Sequence, residues 1–166
     1  IVPAKSWVYP IAFDFDDDGL WSYLSCDEIG HAFTVKDHHD TVQPLDTLNP
    51  SKSKETLGVF LAPDGNNDEM IEILRSKSET WAQSVRQGNL DPSTVWHALA
   101  TTILKSIQYP LLALTLSKKD CQFIMAPALQ AGLNSSHISR TFPRDVLYGH
   151  PHEGGMGLTD IYHHQG

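Results

Sequence analysis

A chain of 166 residues with 40% hydrophobic and 19% charged residues, and four tryptophans, has the composition of one globular domain or two small subdomains and not of a disordered segment. Twenty acidic residues against twelve lysines and arginines leave a formal charge of −8, a field that on average repels nucleic acid and acidic membranes. The longest strongly apolar run, Tyr109 to Leu116, is too short for a membrane span, no signal-peptide pattern opens the chain, and Cys26 and Cys121 form no CxxC pair. The setting expected from this is intracellular, nucleus or cytoplasm, and the start at Ile1 suggests an excised piece of something longer.

In chain order, Trp7, Tyr9, Ile11, Phe13 and Phe15 alternate with Val8, Pro10, Ala12, Asp14 and Asp16, the period of a strand with one heavily apolar face. Pro10 lacks a donor and predicts an edge or a bulge. A second alternation from Leu20 to Leu24 follows Asp17, Asp18 and Gly19, so DFDDDG at 14–19 predicts a hairpin turn. From Cys26 to Asn49 the pattern weakens to a short strand over Phe33 to Val35 and a polar turn over Lys36 to Asp40. Leu57 to Leu61 restores a strand before the breaker Pro63-Asp64-Gly65-Asn66.

Helical spacing then takes over. Met70, Ile71, Leu74, Ser78, Trp81 and Val85 predict a helix from about Asp68 to Gly88, with Asn66 as its cap. Asp91 as cap and Pro92 at the first position predict a second, ending near Tyr109-Pro110. Ser117 with Asp120 starts a third, which Pro127 should kink or shorten. The remainder reads as turns and short pieces. The expected fold class is α+β: a small antiparallel sheet or hairpins over residues 1–65, then a bundle of three to four helices over 66–166.

Candidate chemistry is sparse. Asp14, Asp16, Asp18 and Gly19 match the opening of a calcium loop, but its glutamate position holds Ser25 and both flanks read as strands. Asp16 and Asp17, adjacent in a strand, point to opposite faces and cannot hold two magnesium ions alone. His38 and His39 with Asp37 and Asp40, and His150, His152, His163 and His164, lack a partnering CxxC or HExxH and read as surface histidines. Gly154, Gly155 and Gly157 lack the lysine of a P-loop and read as loop geometry. No catalytic residue, metal ligand or cofactor is therefore assigned to this chain.

The words LGVFLAPDGN at 57–66, Trp81, IQYPLLALTLS at 107–117, FPRDVLYG at 142–149 and GGMGLTDIYHHQG at 154–166 resemble, in order and spacing, the reverse-transcriptase-like open reading frames of non-LTR-type retroelements. The resemblance covers the chain from Lys5 onward. It implies that fingers and catalytic palm precede this region and places Lys5 near the palm's lysine-bearing segment. It puts Glu55 to Val59 in the primer-grip hairpin, where Thr56, Leu57, Gly58 and Val59 would support the primer end. The helices behind would form a thumb-like or connection region along the duplex.

The family's Tyr-x-Asp-Asp motif lies before this segment, so Phe15-Asp16-Asp17-Asp18 only imitates it. The resemblance implies a part of an RNA-directed DNA polymerase, a nucleotidyltransferase that is inactive in this segment alone. Its Mg2+ and catalytic carboxylates would lie elsewhere in the parent protein. Implied partners are an RNA–DNA primer-template and the remaining polymerase domains, with no membrane. The basic side chains with potential nucleic-acid roles are Lys52, Lys54, Arg75, Lys77, Arg86, Lys105, Arg140 and Arg144, and of these Lys52, Lys54, Arg75, Arg86 and Lys105 are the candidate phosphate contacts, which position rather than read bases. The rival reading is a noncatalytic acidic protein-interaction domain that uses an apolar helix face.

Overall fold

The computed structural model describes residues 6–30, 32–36 and 38–165. The chain is α+β, and it divides into two compact units: residues 1–56 with 60–66, and residues 57–59 with 67–166. Charge divides with them. Four lysines against eleven acidic residues leave −7 in the first unit, and eight basic against nine acidic residues leave −1 in the second.

The first unit is built from short strand pairs. β1 (Trp7–Val8) runs parallel to β6 (Asp46–Thr47), while β2 (Phe13–Phe15) and β3 (Trp21–Tyr23) form an antiparallel hairpin. The continuous strand expected over residues 7 to 16 is thus broken around Pro10, and its two halves join different pairs. DFDDDG makes the hairpin turn. The Asp16 carboxylate accepts from the N–H of Asp18 at 3.0 Å and of Leu20 at 2.8 Å, so its charge is spent on the turn's own backbone.

A short helix the periodicity did not reveal, α1 (Cys26–Ile29), starts at a reciprocal box in which Glu28 reaches back to Ser25. Those two bonds hold the Glu28 carboxyl below its ordinary range. β4 (Thr34–Lys36) pairs antiparallel with β5 (Val42–Pro44), and β7 (Lys54–Thr56) pairs with β8 (Val59–Leu61). Among the described residues of this unit only Pro10 and Pro50 are buried. Of the apolar face expected of the first strand, Trp7 and Tyr9 are half-buried and Ile11, Phe13 and Phe15 are exposed.

The second unit holds the core. α2 (Asp68–Gln87) buries Met70, Leu74, Ser78, Ala82 and Val85, one stripe at three- and four-residue steps, and packs most extensively on α5 (Lys118–Ser135). Its cap position is Asn67, one residue beyond the expected Asn66, and the Asn67 amide donates to the Thr115 carbonyl at 3.2 Å. The second helix comes in three parts: α3 (Pro92–Ala98), a π-helical turn over Leu99–Ile103, and α4 (Leu104–Leu111). Asp91 caps it through the N–H groups of Ser93 and Thr94. Hydrogen bonds from the Thr94 and Ser93 hydroxyls hold that carboxyl down to about 2. Within the π turn's reach, the Thr101 and Thr102 hydroxyls donate to the carbonyls of His97 and Ala98, and Trp81 Nε1 donates to Thr102 Oγ1 at 3.1 Å.

α5 starts at the expected Ser117–Asp120 box and runs through Pro127 to Ser135, unshortened. The reason is on α2. Pro127 has no N–H to give the Phe123 carbonyl one turn back. Arg75 Nη1 donates to that carbonyl, and Ser78 Oγ accepts the Ala128 N–H at 3.2 Å. Arg75 and Ser78, three residues apart, thus satisfy both sides of the interruption. The chain closes with α6 (Arg144–Tyr148), a 3-10 turn over Pro151–Glu153, and α7 (Ile161–His164). Gln165 clasps Leu116 through both backbone groups, at 2.9 and 2.7 Å.

Candidate nucleic-acid interface

Two features of the second unit stand out. The first is the turn between β7 and β8. Leu57 and Gly58 both have positive φ, 52° and 80°, the combination of a type I′ turn that normally selects Asn-Gly. Leucine in that conformation costs about 1 to 2 kcal/mol, and here its side chain is 86% exposed. The turn is fixed by Tyr109, whose hydroxyl donates to the Leu57 carbonyl at 2.9 Å. A strained, apolar, exposed tip held from behind is the conformation reached by the segment Thr56, Leu57, Gly58 and Val59: Thr56 ends one strand, Val59 begins the next and is buried.

The second is a groove of about 940 Å³ along α5. Cys121, Met125, Leu129 and Leu133 give it an apolar floor at helical spacing. Lys118, Arg140, Arg144, Tyr148, Asp160 and His163 also line it. Asp160 is engaged, accepting from the Tyr162 N–H and lying 3.0 Å from His163 Nδ1. Among the described residues neither Lys118, Arg140 nor Arg144 has a carboxylate within ion-pairing distance. Asp145 lines the groove as well, so its three cations stand against two carboxylates, an excess of one positive charge inside a nearly balanced unit.

The wall bearing Arg144 and Tyr148 is held by backbone. The N–H groups of Met156, Gly157 and Leu158 donate to the carbonyls of Val146, Gly149 and Leu147 at 2.8 to 3.0 Å, and Leu147 and Leu158 are buried. A Cβ on Gly155 would sit 2.1 Å from the Gly149 carbonyl carbon, so the glycine of this loop permits contact between two backbones.

Burial, then Asp160 and Asp120, push the Cys121 thiol up to about 11. It stays protonated at neutral pH and is 3% exposed. Iodoacetamide at pH 8 should therefore label half-buried Cys26 and leave Cys121 unmodified in the native chain, as read by mass spectrometry. The ordinary thiol pKa is 9.0, so alkali above that value removes protons from the unfolded chain first and destabilises the fold.

The expected phosphate contacts are scattered. Lys52 and Lys54 lie in the acidic unit, where Lys54 Nζ sits 5.4 Å from the centre of the Trp7 ring. Arg75 is engaged three ways: with Glu79 at 2.7 Å, with the Phe123 carbonyl, and over the Phe123 ring at 4.5 Å. Lys105 donates to Gln108 at 3.0 Å, and Arg86 lies in the last turn of α2. None of these lines the groove. Lys118, Arg140 and Arg144 do; Arg140 and Arg144 belong to the wider set of basic residues named from the sequence, and Lys118 does not.

Lys5 and Asp37 lie outside the described residues. The rings of His38 and His39 lie tilted against one another with centroids 3.8 Å apart, and those of His150 and His152 stack at 5.0 Å. Among the described residues no three His, Cys, Asp or Glu side chains gather as a metal site, and no helix is long and apolar enough to cross a membrane. Compared with known proteins, the chain matches no family model, no curated protein and no solved structure.

Proposed function

We propose that this chain is the part of a reverse-transcriptase-like RNA-directed DNA polymerase that supports the primer-template duplex from behind the palm, without contributing catalytic carboxylates. The observation that carries the reading is the groove lined by Lys118, Arg140 and Arg144, none of them ion-paired among the described residues, which outnumber the carboxylates of Asp145 and Asp160 on the same lining. Phosphate oxygens supply the missing counter-charge, and each neutralised phosphate releases bound counterions. The acidity that argued against nucleic acid belongs to the other unit. The exposed Leu57-Gly58 tip supports the same reading as an apolar prop against sugar or base at a primer end. In this scheme Mg2+ and the reacting groups belong to the parent polymerase, and the groove only positions.

The test is fluorescence anisotropy of a labelled RNA–DNA primer-template against the chain at several salt concentrations. Wild type should bind weakly, with affinity falling as salt rises. Arg140→Gln with Arg144→Gln should weaken binding about tenfold and flatten the log–log salt slope by about 1.8, two contacts at ~0.9 each. Leu57→Asn, which suits the I′ turn, should keep the fold and lower affinity with an unchanged slope. No binding at low salt sinks the proposal, and salt-insensitive protein binding in its place would favour the rival interaction-domain reading.

A further inference from the structure

The β2–β3 hairpin carries an uncovered aromatic face. The backbone bonds Leu24 N–H to Ala12 and Asp16 N–H to Leu20 fix which pairs are hydrogen-bonded, and leave Phe13 with Tyr23 and Phe15 with Trp21 as the close, non-bonded pairs. Their side chains share one side of the pleat. Phe13, Trp21 and Tyr23 pack ring against ring at 5.2 to 5.3 Å. Yet Phe13 is 47%, Phe15 66% and Trp21 57% exposed. A two-stranded hairpin is marginal alone, and an exposed patch of this chemistry marks a contact surface.

What covers it is constrained by charge. Asp16 is spent on the turn, but the side chains of Asp17 and Asp18 at the same tip make no ion pair among the described residues. The unit around them carries −7. A nucleic-acid strand could stack on the rings but would be repelled by the aspartates. A second copy would bring the same excess negative charge. Lysine or arginine answers both features at once, lying over an aromatic face and against a carboxylate, while apolar residues between them cover the remaining ring surface.

We propose that the aromatic face of the β2–β3 hairpin is a docking surface for a basic polypeptide segment in which Lys or Arg side chains alternate with apolar ones. This surface is independent of the groove in the second unit, and its failure would leave the primer-template reading untouched.

The probe is a labelled, end-blocked octapeptide of alternating Lys and Leu, titrated into the full chain, with the Glu–Leu peptide and a single-stranded oligonucleotide as comparison arms. The Lys–Leu peptide should bind and weaken with salt. Phe15→Thr with Trp21→Thr, at exposed strand positions where threonine is well tolerated, should weaken it at least tenfold. Asp17→Asn with Asp18→Asn, which keeps every ring, should weaken it severalfold and decides the matter should the first variant misfold. Unchanged binding in either well-folded variant overturns the proposal. So does equal binding of the Glu–Leu peptide, oligonucleotide binding lost with the rings, or self-association abolished by the Thr pair.

Discussion

Gly155→Ala is expected to destabilise the second unit by about 3 kcal/mol, the upper part of the range for forced overpacking, and to lower primer-template affinity with it. The added carbon would meet the Gly149 carbonyl carbon and oxygen at 2.1 Å, and these are backbone atoms that cannot rotate away. Relief requires residues 154–158 to lift from α6, breaking the ladder from Met156, Gly157 and Leu158 and exposing Leu147 and Leu158. Arg144 and Tyr148 move with that wall. The neighbouring Gly154→Ala separates sterics from conformation. Gly154 has φ of 84° with nothing within 4 Å of an added Cβ, so it should cost only about 1 kcal/mol. Urea midpoints of the two variants check this, and equal shifts would show that the 149–155 contact does not matter.

Ser78→Ala should cost about 2 kcal/mol, because it leaves the Ala128 N–H buried without an acceptor. The informative comparison is the same change made in Pro127→Ala. An alanine at 127 restores an N–H for the Phe123 carbonyl and lets the Ala128 N–H return to Ile124 within the helix. Ser78→Ala should then cost under about 1 kcal/mol, giving a coupling near 1 kcal/mol or more. Arg75→Met should follow the same pattern through the carbonyl it serves. Equal costs in the two backgrounds would mean that α2 does not compensate for the proline.

These two sites mark where sequence reading works and where it stops. Asp91-Pro92 and Ser117 with Asp120 predicted their helix starts, because a cap acts on its own next turn. The α+β order was legible for the same reason: period two and period 3.6 are local. α1 went unread since four residues carry no period, although Ser25 with Glu28 was its written cap. The exposure of Phe13 and Phe15 was not legible, because alternation identifies an apolar face without saying that anything lies on it. The engagement of Arg75 was not legible because one of its two acceptors, the Phe123 carbonyl, is set 48 residues away by a proline. Lys118, Arg140 and Arg144 converge only once the chain after α5 folds back, which spacing in the sequence does not encode.

The π turn between α3 and α4 bears on register. Val95, Leu99, Ile103, Ile107 and Leu111 are all buried, one at every fourth position. In an unbroken α-helix four residues overshoot a turn by about 40°, so over four steps such a stripe would wander about 160° around the axis. The wider turn at Leu99–Ile103 takes back part of that rotation and keeps Ile107 and Leu111 aimed at the same core as Val95. One extra residue works there as an angular correction. Deleting Ala100 would tighten the turn and swing α4 by about 100°, bringing Ile107 and Leu111 out of the interior and carrying Tyr109 away from the Leu57 carbonyl it holds.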